Sequence, residues 1–362
     1  MDTLILKKKN EVYITVDCDR NIQQEISEFF TFYVPGYKFM PAFRNRMWDG
    51  KIRLYSQKTK EIYFGLFPYI RAFAEERGYN IVSEEGVEVN NKVDKDVVKK
   101  FSNSLGQKFE ARDYQIDAIY HSLKFNRALL LSPTASGKSF IIYSLIRYYS
   151  HLIKDTPNNR ILLIVPTTSL VEQMYSDFES YGWNVKKNCH RLYSGYSNQT
   201  DKKVLISTWQ SLYKLPKTYF EQFGCVFGDE AHLFKSKSLT EIMTKLEDCK
   251  YRIGLTGTLD GAQTHKLVLE GLFGAVNKVT STRKLMDKQQ LSNLVVRCLI
   301  LKHTVENSKM VASGKYQDEI DYLVSSKSRQ NFIRNLALKL KGNTLVLFQL
   351  VEKHGKGLYE II

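Results

Sequence analysis

Cysteine is scarce in this chain and carries no pattern. Cys18, Cys189, Cys225, Cys249 and Cys298 are scattered through 362 residues, odd in number and without a Cys-x-x-Cys pair. That excludes a zinc ribbon and a disulfide framework, and it fits a reducing, cytoplasmic setting. Long apolar runs are missing too, since no stretch approaches the roughly 18 residues of a membrane span. At the start, Met1-Asp-Thr-Leu-Ile-Leu-Lys-Lys-Lys-Asn10 places its apolar patch before its lysines, the reverse of a secretory signal. Repeats and low-complexity tracts are absent. Acid is in deficit: 38 Asp and Glu stand against 53 Lys and Arg, a net charge of +15. This excess is more than solubility requires. It favours a polyanionic partner, nucleic acid before membrane surface.

What is present is ordinary globular material, 43% hydrophobic and 25% charged, enough for two or three domains. Residues 1–85 read as a small α+β domain in the order βαββαβ. The strands are Val12–Val16, Lys51–Tyr55 with Glu61–Gly65, and Tyr79–Val82. The helices are Ile22–Phe32 and Leu66–Arg77, the second stopped by Gly78. Between Lys38 and Lys60 lie Arg44, Arg46, Lys51, Arg53 and Lys58 against Asp49 alone, interleaved with Tyr37, Phe39, Phe43, Trp48 and Tyr55. Basic groups suit a phosphate backbone and aromatics suit exposed bases, so Arg44, Arg46, Lys51 and Arg53 are candidate DNA contacts. The same pattern also describes a small aromatic core beneath a solvated charged face. Residues 86–107 form a polar linker with a short helix over Val93–Leu105.

From Phe109 onward short apolar runs alternate with helical stretches. The candidate strands are Ala128–Leu131, Ile161–Val165, Val204–Ser207, Cys225–Phe227 and Arg252–Leu255. None alternates polar with apolar, as expected of a parallel sheet buried on both faces. Helices such as Ser169–Tyr181 and Leu239–Leu246 fall between them. The expectation is an α/β domain with a doubly wound parallel sheet over 108–327, whose ligands sit at the carboxyl ends of the strands.

The first of these strands runs into Ser132-Pro-Thr-Ala-Ser-Gly-Lys-Ser139 and then an apolar helix. Strand, loop, helix is the context of a phosphate-binding loop. Pro133, Thr134, Ala135, Ser136 and Gly137 would cradle the nucleotide, the loop turning its backbone N–H groups, which Pro133 lacks, toward phosphate oxygens at the positive end of the helix. Lys138 would reach the β- and γ-phosphates of ATP, and the Ser139 hydroxyl would hold Mg²⁺. The usual first glycine is Ser132 here, and a common inner glycine is Ala135. Asp229-Glu-Ala-His232, the DEAH box, follows another buried strand. Asp229 would bind Mg²⁺, and Glu230 would orient and deprotonate the attacking water. His190, His265 and His354 have no ligand-like spacing.

These segments, with Val165-Pro-Thr-Thr-Ser-Leu-Val-Glu-Gln173, Ser207-Thr-Trp-Gln-Ser-Leu212 and Thr256-Gly-Thr258, occur in the order of the superfamily-two helicases, which the chain resembles over about 109–260. Phe39-Met-Pro-Ala-Phe-Arg44 and Trp48-Asp-Gly-Lys-Ile-Arg-Leu54 resemble phage UvsW-type recombination and repair helicases. The resemblance implies a RecA-like domain. It implies that Arg112 and Gln115 read the adenine, and that Thr256, Gly257 and Thr258, with His232, couple ATP state to DNA grip. Pro166, Thr167, Gln173, Thr208, Trp209 and Gln210 would line single-stranded DNA, although Trp209 fits core packing equally well.

In this family a second RecA-like domain closes over the nucleotide. Ser328–Lys341, Thr344–Phe348 and Glu352–Ile362 resemble only its beginning, the QxxGRxxR-like motif is absent, and 328–362 is expected to pack poorly. Leu294–Leu301 reads as one more strand and Tyr316–Val324 as a helix. The implied function is an ATP-dependent DNA helicase for branched DNA or RNA–DNA hybrids in phage recombination, repair and replication, within the host cytoplasm. With the second RecA-like domain incomplete, it would be weak in hydrolysis. The alternatives are a DNA-binding module with ATP as ligand only, and a motor subunit of a restriction or remodelling complex.

Overall fold

The computed structural model describes residues 2–235, 237–259, 263–292, 295–312 and 314–362. The chain divides into two units, Met1–Ser292 and Asn293–Ile362.

The first unit begins with strands β1 (Thr3–Lys8), β2 (Tyr13–Asp17), β3 (Thr31–Tyr33), β4 (Lys51–Arg53), β5 (Tyr55–Ser56), β6 (Glu61–Tyr63) and β7 (Asn80–Ser83). Five form one sheet in the order β5-β6-β2-β1-β7, antiparallel except where β1 meets β7. The expected order needs three corrections. The helix expected over Ile22–Phe32 runs from Arg20 to Phe29, and Thr31–Tyr33 is a strand because Lys51–Arg53 pairs with it. The apolar patch at the N-terminus is itself a strand, with Leu4 and Leu6 buried. The single strand expected over Lys51–Tyr55 breaks at Leu54, which is buried and donates its N–H to the Phe30 carbonyl. The residues before the break pair with β3, and those after it pair with β6. Helix Phe67–Arg77 ends at Gly78, φ +70°, the left-handed cap that glycine adopts most readily. Among the described residues no helix is long and apolar enough to cross a membrane.

The larger sheet is parallel throughout. Its strands are β8 (Arg127–Leu131), β9 (Arg160–Val165), β10 (Cys189–Leu192), β11 (Val204–Thr208), β12 (Phe223–Gly228), β13 (Tyr251–Thr256) and β14 (Val276–Lys278), ordered β10-β11-β9-β12-β13-β8-β14. A strand turns successive side chains to opposite faces. Leu129, Leu162, Ile164, Leu205 and Val226 therefore enter one core, while Ala128, Leu130, Leu163, Ile206 and Phe227 enter the other. Helices Asp113–Phe125, Lys138–Leu152 and Thr168–Ser180 supply apolar side chains to the second core.

The first core runs without a break into the small domain through Phe64, Leu66 and Phe73. The two layers interlock at glycines. A Cβ on Gly65 would lie 1.9 Å from the Glu270 carbonyl oxygen, and one on Gly271 would lie 2.8 Å from the Tyr63 side chain.

In the second unit the described residues form helices Val305–Ala312, Tyr316–Ser325, Lys327–Lys339 and Lys356–Ile361, with one π turn over Val351–Gly355. The strands expected at Leu294–Leu301 and Thr344–Phe348 do not form over the described residues, and Leu294 itself lies outside them. An extended segment becomes a strand only where a neighbour accepts its backbone hydrogen bonds, and among the described residues no strand pairs with these segments.

Candidate functional site

The phosphate loop leaves β8 at the carboxyl edge of the large sheet. Its conformation explains its composition. Gly137, φ +80°, caps helix Lys138–Leu152, and a Cβ there would come within 2.4 Å of the Gln115 Nε2. Ala135 also takes a left-handed conformation, φ +63°, at a cost of about 1–2 kcal/mol for a residue with a Cβ. Where the strict pattern has glycine, Ser132 closes the loop internally. Its Oγ is 2.6 Å from the Ser136 Oγ, which donates at 2.6 Å to the Pro133 carbonyl.

Gln115 is only 4% exposed and braces this loop from outside. Its Nε2 donates to the Ser136 carbonyl at 2.9 Å, and its Oε1 accepts the Arg112 N–H at 2.9 Å. The Arg112 side chain turns outward and donates to the Tyr114 hydroxyl. The structure thus places Gln115 against the loop, its Nε2 engaged there and its Oε1 engaged at the start of its own helix.

Two strands away, β12 delivers Asp229 and Glu230 to the same edge. Lys138 Nζ donates to Glu230 Oε1 at 2.6 Å across 92 positions of sequence. The strand order β12-β13-β8 is what closes that separation. Glu230 carries a positive φ, +50°. Asp229 is 3% exposed, its Oδ1 is buried with no partner, and its N–H donates to the Ile164 carbonyl. Burial pushes its carboxyl up to about 6, with Lys138 pulling the other way. A desolvated carboxylate oxygen lacking a hydrogen bond is an unstable arrangement by itself, and it fits a site for a divalent cation. The Ser139 hydroxyl lies 2.9 Å from the Tyr181 hydroxyl.

β13 runs between these two strands and contributes the third element. His232 Nδ1 is 3.0 Å from Thr256 Oγ1 and 3.5 Å from Glu230 Oε2. Thr256 Oγ1 donates to the Thr258 carbonyl at 2.7 Å, and the Thr256 carbonyl accepts the Ser132 N–H at 2.8 Å. Gly257 leaves room beside Lys138, whose Nζ would lie 3.9 Å from a Cβ. One continuous set of contacts joins the loop, Glu230, His232 and the Thr256–Thr258 turn, with Asp229 beside it.

The remaining motif residues occupy the neighbouring part of the edge. β9 and β11 pair in register, Val165 beside Thr208, so Pro166 and Thr167 lie next to Trp209 and Gln210. Thr167 Oγ1 accepts the Leu170 N–H at the start of helix Thr168–Ser180. Gln173 and Gln210 are exposed, whereas Thr208 is buried and its Oγ1 is 3.2 Å from the Ser211 hydroxyl. Trp209 is half-buried against the core, with its ring 6.1 Å from that of Tyr213. Arg44, Arg46, Lys51 and Arg53 are all on the small domain. Arg44 and Arg46 are exposed, Lys51 Nζ sits 4.9 Å from the Tyr33 ring centroid, and Arg53 pairs with Asp49.

Sequence reasoning missed Tyr181, Arg127 and Arg252. Arg252 is fully buried, and its guanidinium donates to the carbonyls of Leu272, Leu246 and Met243 at 2.9, 3.0 and 2.7 Å. A charged residue inside an apolar strand run was the available signal.

Two family models match the chain. One, described as DNA helicase UvsW, N-terminal, covers residues 4–84, and one described as Type III restriction enzyme, res subunit, covers 108–261. The chain is 33% identical over 362 residues to the ATP-dependent DNA helicase uvsW of Enterobacteria phage T4, spanning 97% of this chain and 71% of that protein. Similarity to the DNA 3'-5' translocase XPB2 of Sulfurisphaera tokodaii is 26% over 241 residues, 66% of this chain and 48% of that one. A crystal structure of T4 UvsW matches with a TM-score of 0.70 at 30% identity, covering 100% of this chain and 72% of that chain. Another gives 0.69 at 32% identity, covering 77% and 100%.

Proposed function

Since the chain belongs to the family of UvsW-type ATP-dependent DNA helicases, we propose that it couples ATP hydrolysis to movement along DNA and acts on branched DNA or RNA–DNA hybrids in phage recombination, repair and replication. The observation that carries the reading is Lys138 held 2.6 Å from Glu230, beside the buried, half-unsatisfied Asp229. The nucleotide's phosphates would settle on the N–H groups of 134–138, the loop residues after Pro133. Lys138 would then leave Glu230 for the β- and γ-phosphates, and the freed carboxylate would orient the attacking water and take its proton. Asp229 and Ser139 would hold Mg²⁺. That ion would supply positive charge against the negative charge that builds on the phosphate oxygens. Gln115 would fix the loop and, with Arg112, face the adenine. His232, Thr256, Gly257 and Thr258 would pass the change at Glu230 to the adjoining edge, where Pro166, Thr167, Gln173, Thr208, Trp209 and Gln210 would contact one DNA strand through hydroxyls and helix N-termini. The small domain, residues 1–85, would add backbone contacts through Arg44, Arg46, Lys51 and Arg53.

An arginine finger from a facing domain typically contributes ~10³–10⁵ in rate. Residues 1–362 hold no QxxGRxxR-like motif, so these residues on their own are expected to bind ATP and hydrolyse it weakly. The test is DNA-stimulated ATPase with Glu230→Gln. Removing a general base should lower turnover by about 10²–10⁴, with binding of a fluorescent ATP analogue retained. Equal turnover in the two proteins would leave only a DNA-binding module with ATP as ligand.

A further inference from the structure

Between β3 and β4 the small domain projects an arm, residues 34–50, that belongs to neither sheet. The arm is preorganised. The Tyr33 and Tyr37 rings stack at 4.7 Å, and Phe43 meets Tyr37 edge-on at 4.7 Å. Gly50, φ +80°, lies so close beneath Tyr37 that a Cβ would come within 2.3 Å of the ring. The Met47 N–H donates to the Ala42 carbonyl, and the Trp48 Nε1 donates to the Lys51 carbonyl, each at 2.9 Å.

This framework holds open a cleft of about 600 Å³, with Phe43, Met47 and Trp48 as its apolar surfaces and Lys38, Arg44 and Arg46 as its cations. Asp49, also at the cleft, is engaged by Arg53 and by the Lys51 N–H. Among the described residues Lys38, Arg44 and Arg46 have no acidic partner. Met47 is 80% exposed and Phe39, at the same tip, is 76% exposed. Folding gains nothing from a methionine and a phenylalanine left in water, nor from three cations gathered without counter-charge. Both features become favourable together only when a ligand brings a flat apolar face and negative charge on one small body.

We propose that this cleft receives a single unpaired nucleotide of DNA at a branch point. Its base would lie against Phe43 and Met47, and its phosphates among Lys38, Arg44 and Arg46. The volume falls in the usual range of small-ligand sites. Stacking on such a surface tolerates any base, which suits a protein that meets branches of any sequence. An acidic peptide would use the cations and leave the apolar surface idle. The proposal rests on the DNA-helicase reading and deepens it.

The experiment uses the full chain and a three-way junction carrying 2-aminopurine as the one unpaired base. The wild type should quench the probe saturably. The pair Phe43→Leu with Met47→Ser should leave the probe bright and lower junction affinity about tenfold, the worth of one base stack, while affinity for uninterrupted duplex changes less than twofold. Arg44→Ala with Arg46→Ala should weaken binding to both. Undiminished quenching by the Phe43/Met47 pair overturns the cleft, and so does displacement of the junction by a poly-glutamate peptide at matched charge. DNA-stimulated ATPase of the wild type, measured alongside, separates the failures. A bright probe with stimulation intact overturns the cleft alone, and no stimulation overturns the motor reading beneath it. Melting curves of each variant confirm that the arm is folded.

Discussion

Glu11→Gln tests how firmly the small domain is fixed to the large sheet. Arg127 opens β8, the strand that runs on to the phosphate loop, and its guanidinium reaches into the small domain. Nη2 donates to Glu11 Oε2 at 2.8 Å and to the Glu11 carbonyl at 2.6 Å, while the guanidinium lies 4.3 Å from the Phe64 ring centroid. The two side chains are 9% and 13% exposed. The Glu11 N–H donates to the Glu247 carbonyl at 2.8 Å, which places it between the layers. Removing one partner of a buried pair typically costs 3–5 kcal/mol, because the other charge stays buried and uncompensated. Here Arg127 would keep its carbonyl acceptor, and Lys8, a second partner of Glu11 at 2.5 Å, is freer to hydrate. The estimate is therefore the lower end, about 3 kcal/mol. At about 2–4 °C per kcal/mol for a domain of this size, thermal melting of the full chain at pH 7.5 should fall by about 6–12 °C.

The pH dependence has a definite sign. Burial pushes the Glu11 carboxyl up, but Arg127 and Lys8 together outweigh it and hold it below its ordinary value. Stability from a depressed carboxyl is complete above the ordinary carboxylate pKa and is lost as pH falls through the folded value. The Glu11→Gln deficit should therefore shrink below about pH 4. Replacing both Glu11 and Arg127 with Met should recover most of the loss, since apolar side chains of similar volume often substitute for a buried pair. A melting point within 2 °C of wild type for Glu11→Gln, or a deficit unchanged at acid pH, would refute this account.

Asp229→Asn should abolish hydrolysis yet raise the melting point of nucleotide-free protein in chelator at pH 8. A carboxyl pushed up to about 6 from 3.8 loses about 3 kcal/mol by ionising in place. The gain should vanish below about pH 4, where the unfolded carboxyl is protonated as well, and an unchanged melt at pH 8 contradicts the burial argument. Arg252→Met should lower the urea midpoint by the equivalent of more than about 3 kcal/mol, because three buried carbonyls lose their donor. A smaller loss would mean that water replaces the guanidinium. Arg44→Ala and Arg46→Ala should each reduce the slope of log K against log salt for duplex DNA by about 0.9, and an unchanged slope would reassign them to the solvated surface.

The sequence by itself determined the elements whose physics is local. Mostly apolar runs at 128–131, 161–165, 204–207, 225–227 and 252–255 are strands because a sheet covered on both faces accepts a polar side chain only where a buried partner satisfies it, as at Arg252 and Ser207. Helix Phe67–Arg77 ends where Gly78 permits a left-handed turn. The strands that escaped notice were Thr3–Lys8, Thr31–Tyr33, Cys189–Leu192 and Val276–Lys278. The last two sit at the sheet's edges, where one side is unpaired and the apolar pattern weakens.

Only the tertiary structure decided which side chains meet. Lys138 and Glu230 touch because β13 alone separates β8 from β12, an order that no stretch of sequence encodes. Gln115 braces Ser136 because two helices and a loop converge at one edge. The Phe39–Met47 tip remained ambiguous between core and contact, since an aromatic residue has the same letter whether buried or exposed. Contacts between distant residues follow from the free energy of the whole packed arrangement, whereas periodicity follows from the geometry of a few bonds, and only the second can be read along the chain.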